Sequence, residues 1–253
     1  MRADKFFAER FGSRTKAAEA LAKGLVRRGG KQLKPSDEVC ETDSFVLIEE
    51  AEQFVSNGGY KLSRALSAFS EGVQGKTYAD IGASTGGFTD CLLQNGAKHV
   101  FCVDVGESLL DPKVKNDDRV TVMDRTNARY LTKESFSRPL DGVVSDVSFI
   151  SLKLILPAVS ALLPDDGKAF VLIKPQFEAG REKIGKGGIV PKKFHGQVLR
   201  EIYDCANSLS LAPINVVNAP LREKKNIEYV ALLQKNGTPI SQEAFVSRAE
   251  SLK

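Results

Sequence analysis

Short apolar runs dominate the chain from about residue 76 onward, and polar or helical stretches separate them. The runs TYADIG, HVFCVDV, RVTVMD, DGVVSDVSF and KAFVLIK have the length of buried strands. Several segments between them, including TDCLLQNG and LILPAVSALLPDDG, are predicted helices. Strands that alternate with helices are typical of a mostly parallel sheet with helices on both faces, so we predict an α/β fold.

The end of the chain adds a long predicted helix, FHGQVLREIYDCANSLS, and two further strands, PINVVNAP and NIEYVALLQK. Little helical sequence separates these two strands, which favours an antiparallel hairpin at the edge of the sheet. We expect the α/β domain to span residues 59–240 and residues 241–253 to form a tail.

The first 45 residues have a different pattern. RADKFFAERF has phenylalanines near helical spacing, and Ser13 is a candidate N-cap for the alanine-rich helix SRTKAAEALAKGL. VRRGGKQLKPSDEV predicts two short strands around a Gly-Gly turn. Two small helices and a hairpin therefore predict a separate domain over residues 1–45, and residues 46–58 are the predicted linker.

Charge is unevenly distributed over the 253 residues. The first 36 contain ten Lys/Arg and three acids, a formal charge of +7, whereas the whole chain carries +4. A basic module on a slightly acidic body suggests a polyanion as its partner. A solvated helix face is the alternative explanation.

Composition argues against several other classes. The four cysteines are scattered without a C-x-x-C pair and only two histidines are present, so no metal site is predicted and the cysteines fit a reducing compartment. No apolar run approaches the roughly 18 residues of a membrane span, and the N-terminus lacks the apolar stretch of a signal peptide. We expect a cytoplasmic protein.

A glycine-rich loop, DIGASTGGFTD, follows the first predicted strand of the α/β domain at residues 80–90. Ser84 breaks the dinucleotide pattern G-x-G-x-x-G, and Phe88 stands where a P-loop requires lysine. Asp104 ends the next strand, where an acid can accept hydrogen bonds from two ribose hydroxyls, and Asp80 can help to hold a cationic amino-acid tail. These groups fit S-adenosylmethionine, a nucleoside with a zwitterionic tail. A tight turn without a ligand is the alternative.

Four charged residues lie at predicted strand ends or just before the sheet: Lys61, Asp146, Lys174 and Glu228. A ribose hydroxyl must lose its proton as it attacks a methyl group, and a lysine can accept that proton only if its pKa falls toward neutrality. Carboxylates would hold such lysines in place, while alignment of the reacting atoms supplies further acceleration. Each residue alone could be an ordinary surface or capping residue, but the four together favour a site.

Several of these segments together resemble the TlyA family of bacterial ribosomal RNA 2′-O-methyltransferases, which are often labelled haemolysin-like. The segments are FVSNGGYKL, DIGASTGGFTDCLLQNGA, MDRTNAR, VVSDVSFISL, IKPQFEAGREKIGKGGIV and NIEYVALL. The resemblance covers nearly the whole chain. It implies an S4-like RNA-binding domain at the N-terminus and a Rossmann-like, FtsJ/RrmJ-like methyltransferase domain over residues 59–240.

The resemblance also implies roles for individual residues. It places a catalytic tetrad on Lys61, Asp146, Lys174 and Glu228, with cytidines of 23S and, in some members, also 16S ribosomal RNA as substrates. The implied cofactor positions, with Asp80 from the loop analysis, are Asp80, Gly82, Ser84, Thr85, Gly86, Gly87, Phe88, Asp104, Val105, Asp124, Arg125 and Asn127. The expected RNA-binding residues are Arg2, Arg14, Lys16, Arg27, Arg28, Lys31, Arg181, Lys183 and Lys186.

The sequence departs from the family pattern at three places. One is VRRGGKQL, a more basic version of the family's S4 hairpin. Asn57 replaces a common arginine, and Lys225 replaces the glycine that usually precedes N-x-E. Three other functions compete with ribose methylation: an RNA-binding protein with a degenerate methyltransferase fold, a membrane-active haemolysin, and a base methyltransferase. The complete tetrad argues against an RNA-binding protein with a degenerate methyltransferase fold. The alanine-rich face of the helix SRTKAAEALAKGL argues against a membrane-active haemolysin. No N/D-P-P-Y/F motif or reactive cysteine is visible to support the third.

Overall fold

The computed structural model describes residues 1–47, 53–221 and 225–251, and the chain divides into two compact units, Met1–Gln53 and Phe54–Lys253. The smaller unit has a three-stranded antiparallel sheet in the order β2-β1-β3. Its elements are α1 Ala3–Phe6, α2 Arg14–Ala22, β1 Val26–Arg28, β2 Lys31–Gln32 and β3 Phe45–Leu47.

The predicted helices and hairpin of the smaller unit are confirmed. The Ser13 hydroxyl accepts a hydrogen bond from the Lys16 amide at 3.2 Å, as expected of an N-cap. Gly29 and Gly30 have φ angles of 57° and 79°, and two successive positive φ angles suit a tight hairpin turn. Apolar side chains of both helices and of β1, including Ala3, Leu21 and Val26, form the core of this unit.

Strand β3 was not predicted, because two of its three residues fall in the predicted linker. Val46 and Leu47 of the predicted linker 46–58 belong to this strand, and Asn57 begins a helix. Residues 48–52 of that linker lie outside the described residues.

The larger unit has a seven-stranded sheet in the order β6-β5-β4-β7-β8-β10-β9. The strands are β4 Thr77–Ile81, β5 His99–Val103, β6 Val120–Met123, β7 Gly142–Ser145, β8 Lys168–Ile173, β9 Leu211–Asn218 and β10 Tyr229–Lys235. Strands β4 to β8 pair in parallel, whereas β10 is antiparallel to both β8 and β9. The predicted α/β fold and edge hairpin are therefore confirmed.

Helices cover both faces of this sheet. They are α3 Asn57–Phe69, α4 Gly87–Gln94, α5 Pro112–Lys115, α6 Leu156–Leu162, α7 Pro175–Glu178, α8 His195–Ser208 and α9 Gln242–Glu250. Leu156, Ile202 and Phe245 belong to one buried core, and Leu62, Phe88 and Leu92 belong to the other. Because Phe245 is fully buried, helix α9 packs on the larger unit, although only a tail was expected there.

The strand order reverses at β4, since β5 lies on one side of it and β7 on the other. In an open α/β sheet, this switch point leaves a crevice at the carboxyl ends of the strands, where ligands bind. The glycine loop after β4 and the residues after β7 and β8 meet at this edge of the sheet.

Candidate active site

The glycine loop leaves β4 and enters α4 through a series of left-handed residues. Gly82, Ser84 and Gly86 have φ angles of 80°, 49° and 90°. A Cβ on Gly82 would lie 3.0 Å from Val147 Cγ1 and 3.1 Å from Val147 Cα. Glycine at this position therefore lets the loop pack directly against the segment that follows β7.

Asp80 lies at the base of this loop and is completely buried. Its Oδ2 accepts hydrogen bonds from the Thr89 amide at 3.0 Å and the Thr89 hydroxyl at 2.7 Å. Its Oδ1 has no hydrogen-bond partner among the described residues, and Asp80 lines a small cavity of about 120 Å³. Burial, opposed by Thr89 and reinforced by the charge of Asp146, raises the pKa of Asp80 to about 7. A buried carboxylate oxygen without a donor suits a cationic ligand group.

Asp104 closes the other side of the loop. Its Oδ2 accepts from the Ser84 amide at 2.9 Å and its Oδ1 from the Gly106 amide at 2.8 Å, so the carboxylate has a fixed orientation. Asp104 lines a second cavity, of about 570 Å³, together with Val105 and Asn127. This volume lies within the range of roughly 300–1,000 Å³ that is usual for small-ligand sites.

Most of the expected cofactor positions lie at these two cavities. Asp80, Gly82, Ser84, Thr85, Gly87, Phe88, Asp104, Val105 and Asn127 line one or both of them. Gly86, Asp124 and Arg125 do not line either. Arg125 forms an exposed ion pair with Glu107, and Asp124 accepts a hydrogen bond from the Ser108 amide at 3.0 Å.

The structure brings the four predicted tetrad residues into one chain of ion pairs. Lys61 Nζ lies 2.7 Å from Glu228 Oε2 and 3.4 Å from Asp146 Oδ2. Lys174 Nζ lies 2.7 Å from Asp146 Oδ1. The side chain of Lys174 is the least exposed of the four, at 8%. The two lysines are thus held apart by a shared carboxylate, beside the small cavity that Asp146 and Lys174 line with Asp80.

Three further residues lie around the tetrad. They were not singled out from the sequence. Ser148 Oγ accepts a hydrogen bond from Lys174 Nζ at 2.6 Å, and Gln176 Nε2 donates to Glu228 Oε1 at 3.2 Å. Phe149 has a positive φ of 63° and is 92% exposed at the larger cavity. An aromatic residue directly after the strand-end motif S-D-V-S was the available signal.

The basic residues expected to bind RNA fall into two groups. In the smaller unit, Arg2 and Arg14 form ion pairs with Asp4 at 3.1 and 3.0 Å, and hydrogen bonding to Arg2 is the main reason why the pKa of Asp4 falls to about 2. Arg28 forms an ion pair with Asp43 at 2.9 Å. The side chains of Lys16, Arg27 and Lys31 are exposed.

The second group lies in the loop 180–190 of the larger unit. Arg181 and Lys186 are exposed, and Lys183 donates to Gln197 at 3.1 Å. Asn226 fixes the end of this loop, because its Oδ1 accepts from the Val190 amide and its Nδ2 donates to the Gly188 carbonyl, both at 2.8 Å. Asn226 precedes Glu228 by two residues, so the loop is anchored next to the tetrad.

Comparison with known proteins identifies the family of this fold and site. A family model described as FtsJ-like methyltransferase matches residues 54–235. The chain belongs to the FtsJ-like methyltransferase family. Its segment 54–235 contains the whole ion-pair chain and both cavities described above.

Individual relatives match over most of the chain. The Mycobacterium tuberculosis 16S/23S rRNA (cytidine-2′-O)-methyltransferase TlyA is 40% identical over 88% of this chain and 84% of its own length. Hemolysin A of Brachyspira hyodysenteriae is 39% identical over 87% of this chain and 92% of its own. A solved structure from Lactococcus lactis, provisionally named a hemolysin, has a TM-score of 0.73 at 39% identity and covers 78% of this chain and 98% of its own. The expected kinship with TlyA proteins is confirmed.

Two further observations concern membrane-spanning helices and clusters of metal-binding side chains. In the parts of the chain that the structure describes, none of the helices combines the length and hydropathy that a membrane span requires. Within the same residues, no three His, Cys, Asp or Glu side chains cluster as metal ligands do.

Proposed function

We propose that this chain transfers a methyl group from S-adenosylmethionine to the ribose 2′-hydroxyl of a cytidine in ribosomal RNA. The observation that supports this most directly is the ion-pair chain Glu228–Lys61–Asp146–Lys174 beside the two cavities at the sheet edge. The M. tuberculosis relative is named for the same type of reaction. A ribosomal RNA substrate implies that the enzyme works in the cytoplasm.

The residues at the two cavities fit S-adenosylmethionine. The unpaired Oδ1 of Asp80 would accept from the ammonium group, and Asp104 would accept from the ribose hydroxyls on its remaining lone pairs. The positive φ angle of Gly82, which lines both cavities, brings backbone close to the ligand. When bound, the cofactor supplies a methyl group on a positively charged sulfur.

The tetrad supplies proton transfer and alignment. Lys174 Nζ is buried beside the cofactor cavity, so in its neutral form it is the amine that accepts the proton of the 2′-hydroxyl. Asp146 and Ser148 fix its position, and Lys61 and Glu228 hold Asp146 in turn. Because this scaffold is preorganised, most of the acceleration comes from placing the attacking oxygen in line with the methyl group.

The expected RNA-binding residues would contact phosphates and so determine affinity rather than sequence choice. Those on the first 36 residues belong to the smaller unit, which we propose to be the S4-like domain.

The test is methyl transfer from labelled S-adenosylmethionine to ribosomal subunits that lack native methylation. Wild type should label an alkali-resistant cytidine, and Lys174→Ala should not. Lys153→Ala is the matched control, because Lys153 forms an ion pair with Glu201 at 2.8 Å outside the site and should retain activity. Absence of label from both subunits, despite demonstrated cofactor binding, would contradict the proposal and favour a binding module with a degenerate site.

A further inference from the structure

A groove outside the two cofactor cavities lies on the larger unit, between helix α3 and edge strand β9. Its volume is about 880 Å³. The described residues on which the argument rests are Tyr60, Lys61, Arg64 and Ser67 of α3, Asn215 of β9 and Arg248 of α9. We call it the α3–β9 groove. The proposed methyl-transfer mechanism assigns no role to this groove as a whole.

The groove begins where the tetrad ends. Ser56 and Gly58, at the start of α3, line the small cofactor cavity, whereas Lys61, the next turn on, lines the groove. The Nζ of the same Lys61 pairs with Glu228 and Asp146. A nucleotide that presents its 2′-hydroxyl to Lys174 has covalent neighbours that must leave the site along the protein surface. The groove lies where one of these neighbouring nucleotides can be bound.

The groove carries cations and, among its described lining residues, no carboxylate. Arg64 donates to the backbone carbonyl of Asn218 at 2.8 Å and to its Oδ1 at 3.2 Å. Arg248 Nη1 donates to Asn215 Oδ1 at 3.0 Å. These bonds orient both guanidinium groups on a helix, and an oriented guanidinium is well suited to phosphate.

An aromatic ring lies next to these cations. Tyr60 is 37% exposed, and its ring packs edge-on against Phe54 with centroids 5.1 Å apart. Grooves that bind single-stranded nucleic acid combine such cations along the backbone with aromatic rings on which bases stack.

We propose that the α3–β9 groove binds the RNA strand adjacent to the methylated nucleotide, with Arg64 and Arg248 on its phosphates. This inference rests on the proposed function and adds a substrate-binding surface to it. The concentration of cations favours a polyanion over a protein segment as the occupant.

The test introduces one negative charge into the groove without removing a structural bond. Ser67 is exposed on α3, so Ser67→Glu should fold like wild type. Ser137→Glu is the matched control, because Ser137 is also exposed but precedes the central strand β7 and does not line the groove. Steady-state methylation is measured on whole subunits and on protein-free ribosomal RNA, together with the dissociation constant of S-adenosylmethionine. Arg248→Gln provides a second, charge-removing variant.

We expect Ser67→Glu to raise the KM for both RNA substrates about tenfold, with kcat and cofactor affinity within twofold of wild type. Arg248→Gln should raise KM and lower the slope of log affinity against log salt by about one, as loss of one phosphate contact does. Ser137→Glu should match wild type.

Other outcomes distinguish a failure of the groove inference from a failure of the proposed function. If wild type labels RNA and Ser67→Glu behaves like Ser137→Glu, the groove inference is wrong and the proposed function stands. A KM that rises on whole subunits but not on protein-free RNA assigns the groove to a ribosomal protein and also overturns the inference. If wild type labels no ribosomal RNA, the proposed function fails and the groove inference fails with it.

Discussion

Asp80 is completely buried, and its Oδ1 has no hydrogen-bond partner among the described residues, which makes ionisation of this carboxyl group unfavourable in the folded chain. Its pKa is about 7 when folded and about 4 when unfolded, so the folded chain binds more protons between these values. The free energy of unfolding therefore falls as pH rises from about 4 to about 7. Asp80→Asn removes this ionisation, and we expect its stability relative to wild type to be greater at pH 8 than at pH 5 in urea unfolding.

The same substitution should weaken cofactor binding, because a neutral amide cannot pair with an ammonium group. Asp118→Asn is the control, since Asp118 is exposed. It should show neither effect. A stability difference between Asp80→Asn and wild type that is equal at both pH values would show that Asp80 does not titrate in this range.

Phe149 lies in the left-handed region, which is unfavourable for a bulky residue, and its side chain is 92% exposed. Its ring contacts Phe177 at 5.3 Å between centroids and adjoins Ser148, the partner of Lys174. A ring at this position can stack on the base of the nucleotide being methylated. We expect Phe149→Ala to retain the wild-type melting temperature and to lower kcat/KM about tenfold or more.

Replacement by tyrosine and by leucine tests whether stacking is the cause. Phe149→Tyr keeps an aromatic face and should retain most activity, whereas Phe149→Leu should resemble the alanine variant. Equal activity of the tyrosine and leucine variants would argue for an apolar contact without stacking.

The sequence predicts that Lys61, Asp146, Lys174 and Glu228 lie together, and the structure does place them in one chain of ion pairs. Asp146 and Lys174 directly follow β7 and β8, and parallel strands bring their carboxyl ends to one edge. It does not predict Ser148 or Gln176, because their roles depend on hydrogen bonds between separate loops. It also placed Asp124 and Arg125 at the cofactor, although neither lines a cavity. Position along a strand is encoded locally, whereas the direction of a side chain in a loop is determined by tertiary contacts.

At the scale of elements, the first turns of helices α3 and α4 approach each other closely at glycines. A Cβ on Gly87 would lie 2.2 Å from Ser56 Oγ and 3.0 Å from the Gly59 amide nitrogen. We expect Gly87→Ala to push α3 away and to destabilise the fold by about 1–3 kcal/mol, as overpacking does. Because α3 carries Lys61, methyl transfer should fall as well. Urea unfolding and methyl-transfer kinetics measure the two effects.

Gly72→Ala is the control for this prediction, because a Cβ there would meet no atom within 4 Å. Its stability and activity should match wild type. Unchanged stability of Gly87→Ala would mean that Ser56 moves aside at no cost.

The strands and helices of the larger unit follow from apolar periodicity, which is why their existence could be predicted. The order β6-β5-β4-β7-β8-β10-β9 could not, because it depends on which edges pair in three dimensions. Strand β3 was missed for a related reason: its three residues pair with β1 across sixteen or more intervening residues, and so short a run carries no period of its own.

At the scale of the whole molecule, positive charge is concentrated in the first 36 residues, at +7 against a total of +4. The basic residues of this segment are not equivalent. Arg2 and Arg14 are bonded to Asp4, whereas Arg27 and Lys31 are exposed on the hairpin strands β1 and β2. A phosphate contact by either arginine at Asp4 must compete with that carboxylate, so we expect the hairpin pair to contribute more to RNA affinity.

The double variant Arg27→Gln/Lys31→Gln tests this directly. If both residues contact phosphates, affinity for ribosomal RNA falls and the slope of log affinity against log salt becomes shallower by about two, while cofactor binding is unchanged. Lys98→Gln/Lys115→Gln removes the same charge from exposed positions of the larger unit and should leave the slope as in wild type. Equal slopes for the two double variants would show that net charge, rather than the hairpin, attracts the RNA.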